Sequence, residues 1–193
     1  MPTTDPTSAE YAELANRLFS RGKYEEALEK YRVMANAGSI EAQMRVGWMY
    51  HLGYGIGRNL DEARRWYEKA AERNSPEAQF YLGTVYRQMK LYDEAFAYFQ
   101  KSAAQNYAPA IYELGAMYDL GEGRNKDIEL AYEHYKRAAR MGNLRAQREI
   151  AVATIKGRAG LKQIPIGVFL LFRLLYQGLT TAVTNPESDR MRW

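Results

Sequence analysis

At 193 residues and 22.2 kDa, with 47% hydrophobic and 26% charged residues, the chain has the balance of one globular domain or slightly more. It contains no cysteine, which excludes a disulfide scaffold, thiolate zinc sites, iron–sulfur clusters and a cysteine nucleophile, and its two histidines, His51 and His134, leave little for histidine-based metal or acid–base chemistry. The net charge of +4 is concentrated at one end: residues 144–193 carry 8 Lys and Arg against 3 acids, whereas residues 1–75 sum to zero.

The first eight residues have neither a basic start nor an apolar run, so they read as a flexible lead-in (1–8) ending at an N-cap, Ser8, and not as a secretory signal. Without a signal or a cysteine, a reducing, cytoplasmic location is the expectation. From residue 9 the chain repeats itself. Glu41-Ala42-Gln43-Met44-Arg45-Val46-Gly47-Trp48-Met49-Tyr50 returns as Glu77-Ala78-Gln79-Phe80-Tyr81-Leu82-Gly83-Thr84-Val85-Tyr86, and again around Pro109-Ala110 to Gly115 and Tyr118. A second word, Glu26-Ala27 to Tyr31, returns at Glu62-Ala63 to Tyr67, at Glu94-Ala95 to Phe99 and at Leu130-Ala131 to Tyr135.

Both words place apolar residues at three- and four-residue intervals, the period of a helix buried on one face. The spacing between them is more informative. The small residues Ala15, Gly47, Gly83, Gly115 and Ala151 stand 32, 36, 32 and 36 residues apart. Within each unit the gap to the partner alanine (Ala27, Ala63, Ala95, Ala131) alternates between 12 and 16. Four residues are thus inserted in every other unit, between its two helices, at Gly53-Tyr54-Gly55-Ile56-Gly57 and Gly121-Glu122-Gly123. Glycine inside a helix costs about 1 kcal/mol relative to alanine; its recurrence at equivalent places predicts close approach of the paired helix, with the large rings one turn away filling the space between units. The units run 9–39, 40–75, 76–107 and 108–143, with a partial fifth at 144–156.

The 32-residue unit with Gly83, Tyr86, Tyr92, Ala95 and Phe99 resembles a tetratricopeptide repeat. The 36-residue units, with Ala42, Gly47, Tyr50, Gly53-Tyr54-Gly55, Ala63, Trp66-Tyr67 and Ala70-Ala71, and their counterparts from Ala110 to Ala139, are similar to Sel1-like repeats. The resemblance covers residues 9–156. It implies an all-α, right-handed α-solenoid superhelix of helix pairs whose first helices line a concave face for a protein or peptide partner. Two features depart from some bacterial Sel1-like proteins: there is no cysteine to tie each repeat, and no export signal.

Carried onto this sequence, that geometry turns inward the residues three before and one after each small marker, together with those one turn later. The candidate contact residues are Asn16 and Phe19, Met44, Trp48 and His51, Phe80, Thr84 and Arg87, Tyr112 and Asp119, and Arg148. Met44, Trp48, Phe80 and Tyr112 would form an aromatic and sulfur-bearing strip of the composition favoured at protein interfaces; packing between repeats is the competing expectation for Phe80 and Tyr112. His51 and Arg87 suit hydrogen bonding to a partner's carbonyl or carboxylate groups. No catalytic residue, metal site or cofactor is expected. Gly53-x-Gly55-x-Gly57 follows no strand and precedes no Gly-Lys-Ser/Thr, so it is a helix–helix turn and not a phosphate loop.

After Lys156-Gly157-Arg158-Ala159-Gly160 the repeat words stop. Ile164 to Tyr176 is the most apolar stretch of the chain. Three expectations compete for residues 157–184: a hydrophobic helix capping the solenoid, a helix that docks on a membrane surface or a partner through Phe169, Phe172 and Arg173, or a membrane span. Arg173 opposes the last at a cost of at least about 2.5 kcal/mol. Nucleic acid is not indicated, because the basic residues flank an apolar run instead of forming a stripe. A polar tail, 185–193, follows.

Overall fold

The computed structural model describes residues 5, 7–156 and 164–184, and all their regular structure is helical. The expected lead-in lies mostly outside the described residues; residues 157–163 and the expected polar tail at 185–193 lie outside them entirely. The helices are α1 (Ala9–Ser20), α2 (Tyr24–Asn36), α3 (Ile40–Leu52), α4 (Leu60–Ala71), α5 (Pro76–Gln88), α6 (Tyr92–Ala104), α7 (Ala108–Leu120), α8 (Ile128–Arg140), α9 (Leu144–Ile155) and α10 (Ile164–Thr184). The chain divides after Tyr107 into two compact units. In the first, α1 to α6 each pack on their chain neighbours; in the second, α7 to α10 do the same. Packing dominated by sequence neighbours is the logic of a solenoid.

The inserted four residues lie where the spacing puts them. The turns 21–23 and 89–91 have three residues, and the loops 53–59 and 121–127 have seven. The two kinds of connection also start their following helices differently. The long loops end in Asn59 and Asp127, whose side chains accept from the Glu62 and Leu130 amides, while Lys23 and Leu91 at the short turns supply no side-chain cap. First helices α1, α3, α5 and α9 begin at Ser8, Ser39, Ser75 and Asn143, each capping an amide three residues on.

The glycine seam has a specific partner. A Cβ on Gly47, Gly83 or Gly115 would stand 2.8–2.9 Å from the ring of Tyr67, Phe99 or Tyr135, respectively. The missing side chain therefore makes room for the ring one turn beyond the alanine of the same helix pair. This corrects the expectation that these rings lie only between units: each packs inside its own pair, and Tyr67 also stacks on Tyr81 of the next, 5.4 Å between centroids. Tyr67 and Phe99 are fully buried, which stabilises by about 1.5–3 kcal/mol for each ring.

The end of the chain differs from the sequence expectation in one respect. Helix α10 is the second helix of a complete fifth pair, packed on α9. Gly167 stands 16 residues after Ala151, and its Cβ would lie 3.0 Å from the Ala151 carbonyl oxygen and 3.0 Å from Thr154 Cβ. The two small residues have exchanged helices, so the repeat words disappear although the crossing persists. Among the described residues no helix is long and apolar enough to cross a membrane, which removes the spanning expectation for α10.

Candidate functional site

In the first unit, successive first helices meet near their C-terminal ends, and two arrays of side chains gather there. The first is aromatic. Phe19 of α1 and Trp48 of α3 lie 5.5 Å apart between ring centroids, and both reach Tyr54 of the long loop, at 5.7 and 5.0 Å. Tyr24, at the start of α2, closes the group against Phe19 (5.0 Å) and Tyr54 (4.9 Å). All four rings are half-buried: they rest on the core below and keep part of their surface open.

The loop that carries Tyr54 is held by Gly55. Its φ is +68°, and a Cβ there would stand 2.5 Å from the carbonyl carbon of Tyr24. Only glycine combines that backbone conformation with that contact. The inserted residues therefore do more than lengthen a turn: they rest on the start of the preceding repeat's second helix and deliver Tyr54 to Trp48. Sequence reasoning picked out Phe19 and Trp48 and missed Tyr24 and Tyr54. The available signal was a tyrosine between two glycines in the inserted segment.

The second array is polar. His51 Nε2 donates to Gln88 Oε1 (3.0 Å), which also accepts from Arg58 Nη2 (2.8 Å), while Arg58 Nε donates to the His51 carbonyl (3.1 Å). The shared amide oxygen can only accept, which places the imidazole proton on Nε2. His51 is 7% exposed. Burial pushes its pKa below 6.5; the Gln88 bond opposes that shift and the Arg58 charge adds to it. The ring is thus neutral at pH 7 and couples α3 to α5, and it is withdrawn from the surface on which it was expected to meet a ligand.

The remaining first-unit candidates scatter. Met44 is half-buried and packs on the core. Asn16 is exposed and accepts from the Tyr31 hydroxyl at 2.6 Å. Phe80 packs with Tyr81, Phe99 and Tyr107, at 5.3–5.9 Å. Thr84 donates to the Phe80 carbonyl (3.0 Å), and Arg87 lies half-buried in the last turn of α5. Of the expected strip, Trp48 joins the Phe19 cluster and Phe80 packs in a separate group of rings.

In the second unit Tyr112 is 9% exposed, packed on Tyr135 (5.4 Å) with the Arg145 guanidinium over its ring (4.8 Å). Packing between helices, the competing expectation, describes it better than contact with a ligand. Arg145 also pairs with the buried Glu113, at 3.3 Å. Asp119 is half-buried and lines a small pocket with Tyr135, Glu149 and Lys156; Arg148 is exposed beside Glu149, 3.5 Å away.

A family model described as "Sel1 repeat" matches residues 40–75, 76–107 and 108–143, more than half of the chain. The chain belongs to the Sel1 repeat family. Its solved relatives agree. A Sel1 repeat protein from Oxalobacter formigenes is 27% identical with a TM-score of 0.72, the match covering 88% of this chain and 73% of the other. The protective antigen c5321 of uropathogenic Escherichia coli, described as having an SLR fold, is likewise 27% identical with a TM-score of 0.72, over 88% of this chain but only 38% of its own. MamA, at 23% identity and a TM-score of 0.59, shares the fold. Sel1 repeats form an all-α, solenoid-like fold, and the family consists in general of non-catalytic scaffolds that bind protein partners.

Proposed function

We propose that this Sel1 repeat protein is a non-catalytic, cytoplasmic adaptor that binds an extended segment of a partner protein along the first helices of residues 9–107. The ring cluster of Phe19, Trp48, Tyr54 and Tyr24 is its apolar anchor. The observation that carries this is the convergence of four half-open rings from three helices and a loop at one place. Rigid aromatic side chains lose little entropy on binding and dominate interface energetics. Asn16 and Arg87 supply polar contacts beside the anchor. His51 contributes indirectly, by tying the α3 and α5 ends together.

A random peptide display library panned on the intact chain supplies the probe. Selected peptides bind the wild type and bind Trp48→Ala about 30-fold more weakly, the loss typical of one interface anchor. Circular dichroism at the assay temperature establishes that the variant is folded. Equal affinity for wild type, Trp48→Ala and Tyr54→Ala would refute the anchor.

A further inference from the structure

Helix α10 keeps the repeat's backbone position and inverts its surface chemistry. With Gly167 aligned on Ala27, Ala63 and Ala131, Phe169 takes the place of Glu29, Arg65 and Glu133; Phe172 that of Arg32, Glu68 and Lys136; and Tyr176 that of Asn36, Glu72 and Arg140. Most of these positions face solvent in the earlier second helices, with Glu68 and Lys136 half-buried. Here the three rings are 67%, 68% and 70% exposed. Ile166, Val168 and Leu175 are exposed as well, so at 100° per residue the apolar arc spans about half the helix circumference. A single monomer rarely leaves so wide an apolar surface uncovered.

One edge of that arc is cationic. Between α8, α9 and α10 lies a groove of about 330 Å³ with an apolar floor of Ala139, Ile150, Leu170 and Leu174. Lys136, Arg140 and Arg173 line it, with no carboxylate among its described lining residues; Glu133 pairs with Lys136 from outside. Arg173 stands one turn after Phe169 on the same helix face, so the groove and the ring row share a border. In the sequence, residues 144–193 carry 8 basic and 3 acidic side chains.

We propose that this end of the protein docks in the plane of an anionic lipid bilayer. Phe169, Phe172 and Tyr176 enter the boundary between headgroups and acyl chains, and Lys136, Arg140 and Arg173 take anionic headgroups. An apolar helix face bordered by basic residues is the composition of interfacial helices, and cations at the surface add to the attraction. A second copy of the chain suits the face less well, because it would oppose two strongly basic ends and bring the two Arg173 side chains together. A shaped protein pocket fits poorly around an arc half the helix wide, whereas a fluid interface adapts to it.

The test is flotation of the full chain with vesicles of phosphatidylcholine alone and of phosphatidylcholine with phosphatidylserine. The wild type floats with the anionic vesicles and not with the neutral ones, and added salt releases it. Arg140→Gln/Arg173→Gln lowers partitioning roughly 30-fold, the effect of two interfacial charges, and Phe169→Ser/Phe172→Ser abolishes it. Because these side chains are exposed, the variants melt like the wild type, and their peptide binding at the Trp48 cluster is unchanged. Protein that never floats, or that floats equally with both compositions, overturns the proposal. So does a concentration-dependent dimer that Phe169→Ser/Phe172→Ser dissolves in the absence of flotation, since it would give the face to a second copy. Capture of acidic display peptides through Phe172 with no flotation would give it to a protein and overturn the proposal equally.

Discussion

Gly83 and Phe99 share one space: a methyl group on the glycine would stand 2.8 Å from the ring, and 3.3 Å from the Ala95 carbonyl oxygen. Gly83→Ala gains about 1 kcal/mol of helix propensity but must displace a fully buried ring, and overpacking costs about 1–3 kcal/mol. We expect a net loss of about 1 kcal/mol, seen as a melting temperature lower by roughly 2–4 °C. Gly57→Ala is the control. Its Cβ would meet nothing within 4 Å and its φ is not positive, so it leaves stability unchanged or raises it by up to about 1 kcal/mol. Equal effects of the two substitutions in thermal melts would contradict the seam.

Gly55→Ala is expected to be the more damaging change. The new Cβ would collide with the Tyr24 backbone at 2.5 Å in a conformation with φ +68°, and backbone cannot give way as a side chain does. A loss of roughly 2–3 kcal/mol is expected. Lifting the loop also takes Tyr54 off Trp48, so the tryptophan emission shifts to the red. Unchanged emission would show that the loop does not hold the ring cluster.

Stability depends on pH through the histidines. Burial lowers the pKa of His51 and of His134 below 6.5, and the Arg137 charge adds to the shift at His134. Both groups therefore bind protons more readily in the unfolded chain. Their contribution is fully present above pH 6.5 and is lost as pH falls from there towards the folded-state values. Melting temperatures measured between about pH 5 and 8 should fall on the acid side, and His51→Gln, which keeps a side-chain amide donor for Gln88, should flatten the slope. An identical slope in the variant would show that His51 is not the group responsible.

Lys90 occupies the left-handed region, with φ +62°, at the turn between α5 and α6, and its side chain is exposed. Glycine fits that conformation without the penalty a Cβ carries. Lys90→Gly should raise stability by about 1 kcal/mol, measured as a higher urea midpoint at unchanged slope.

The helix pairs were legible because the features that mark them are local. A small residue, an alanine and a counted gap locate both helices and the inserted loop without any tertiary information. The site was legible only in part. Tyr24 and Tyr54 are thirty positions apart in sequence and meet only because Gly55 lays the loop on α2. The burial of His51 depends on Gln88, one repeat away. Phe80 and Tyr112 stand at the place of Met44 on their helices, three residues before the glycine, yet their neighbours, Tyr107 and Arg145, differ from its neighbours and enclose them differently. The second helix of the partial fifth unit was expected only as a cap, because its glycine lies on that helix amid aromatic residues that no earlier repeat carries there.

The alternation of three-residue turns and seven-residue loops also determines how such a chain can grow. Gly47 and Gly115 stand 68 residues apart, as do Ala63 and Ala131, so the true period is a double hairpin. The loop carrying Gly55 rests on a helix that a short turn introduces. Adding or removing a single hairpin would put a long loop over another long loop, where that resting place is lost. Duplication or deletion in steps of two keeps a loop like that of Gly55 over a helix introduced by a short turn, and an engineer wishing to lengthen this protein should count by twos.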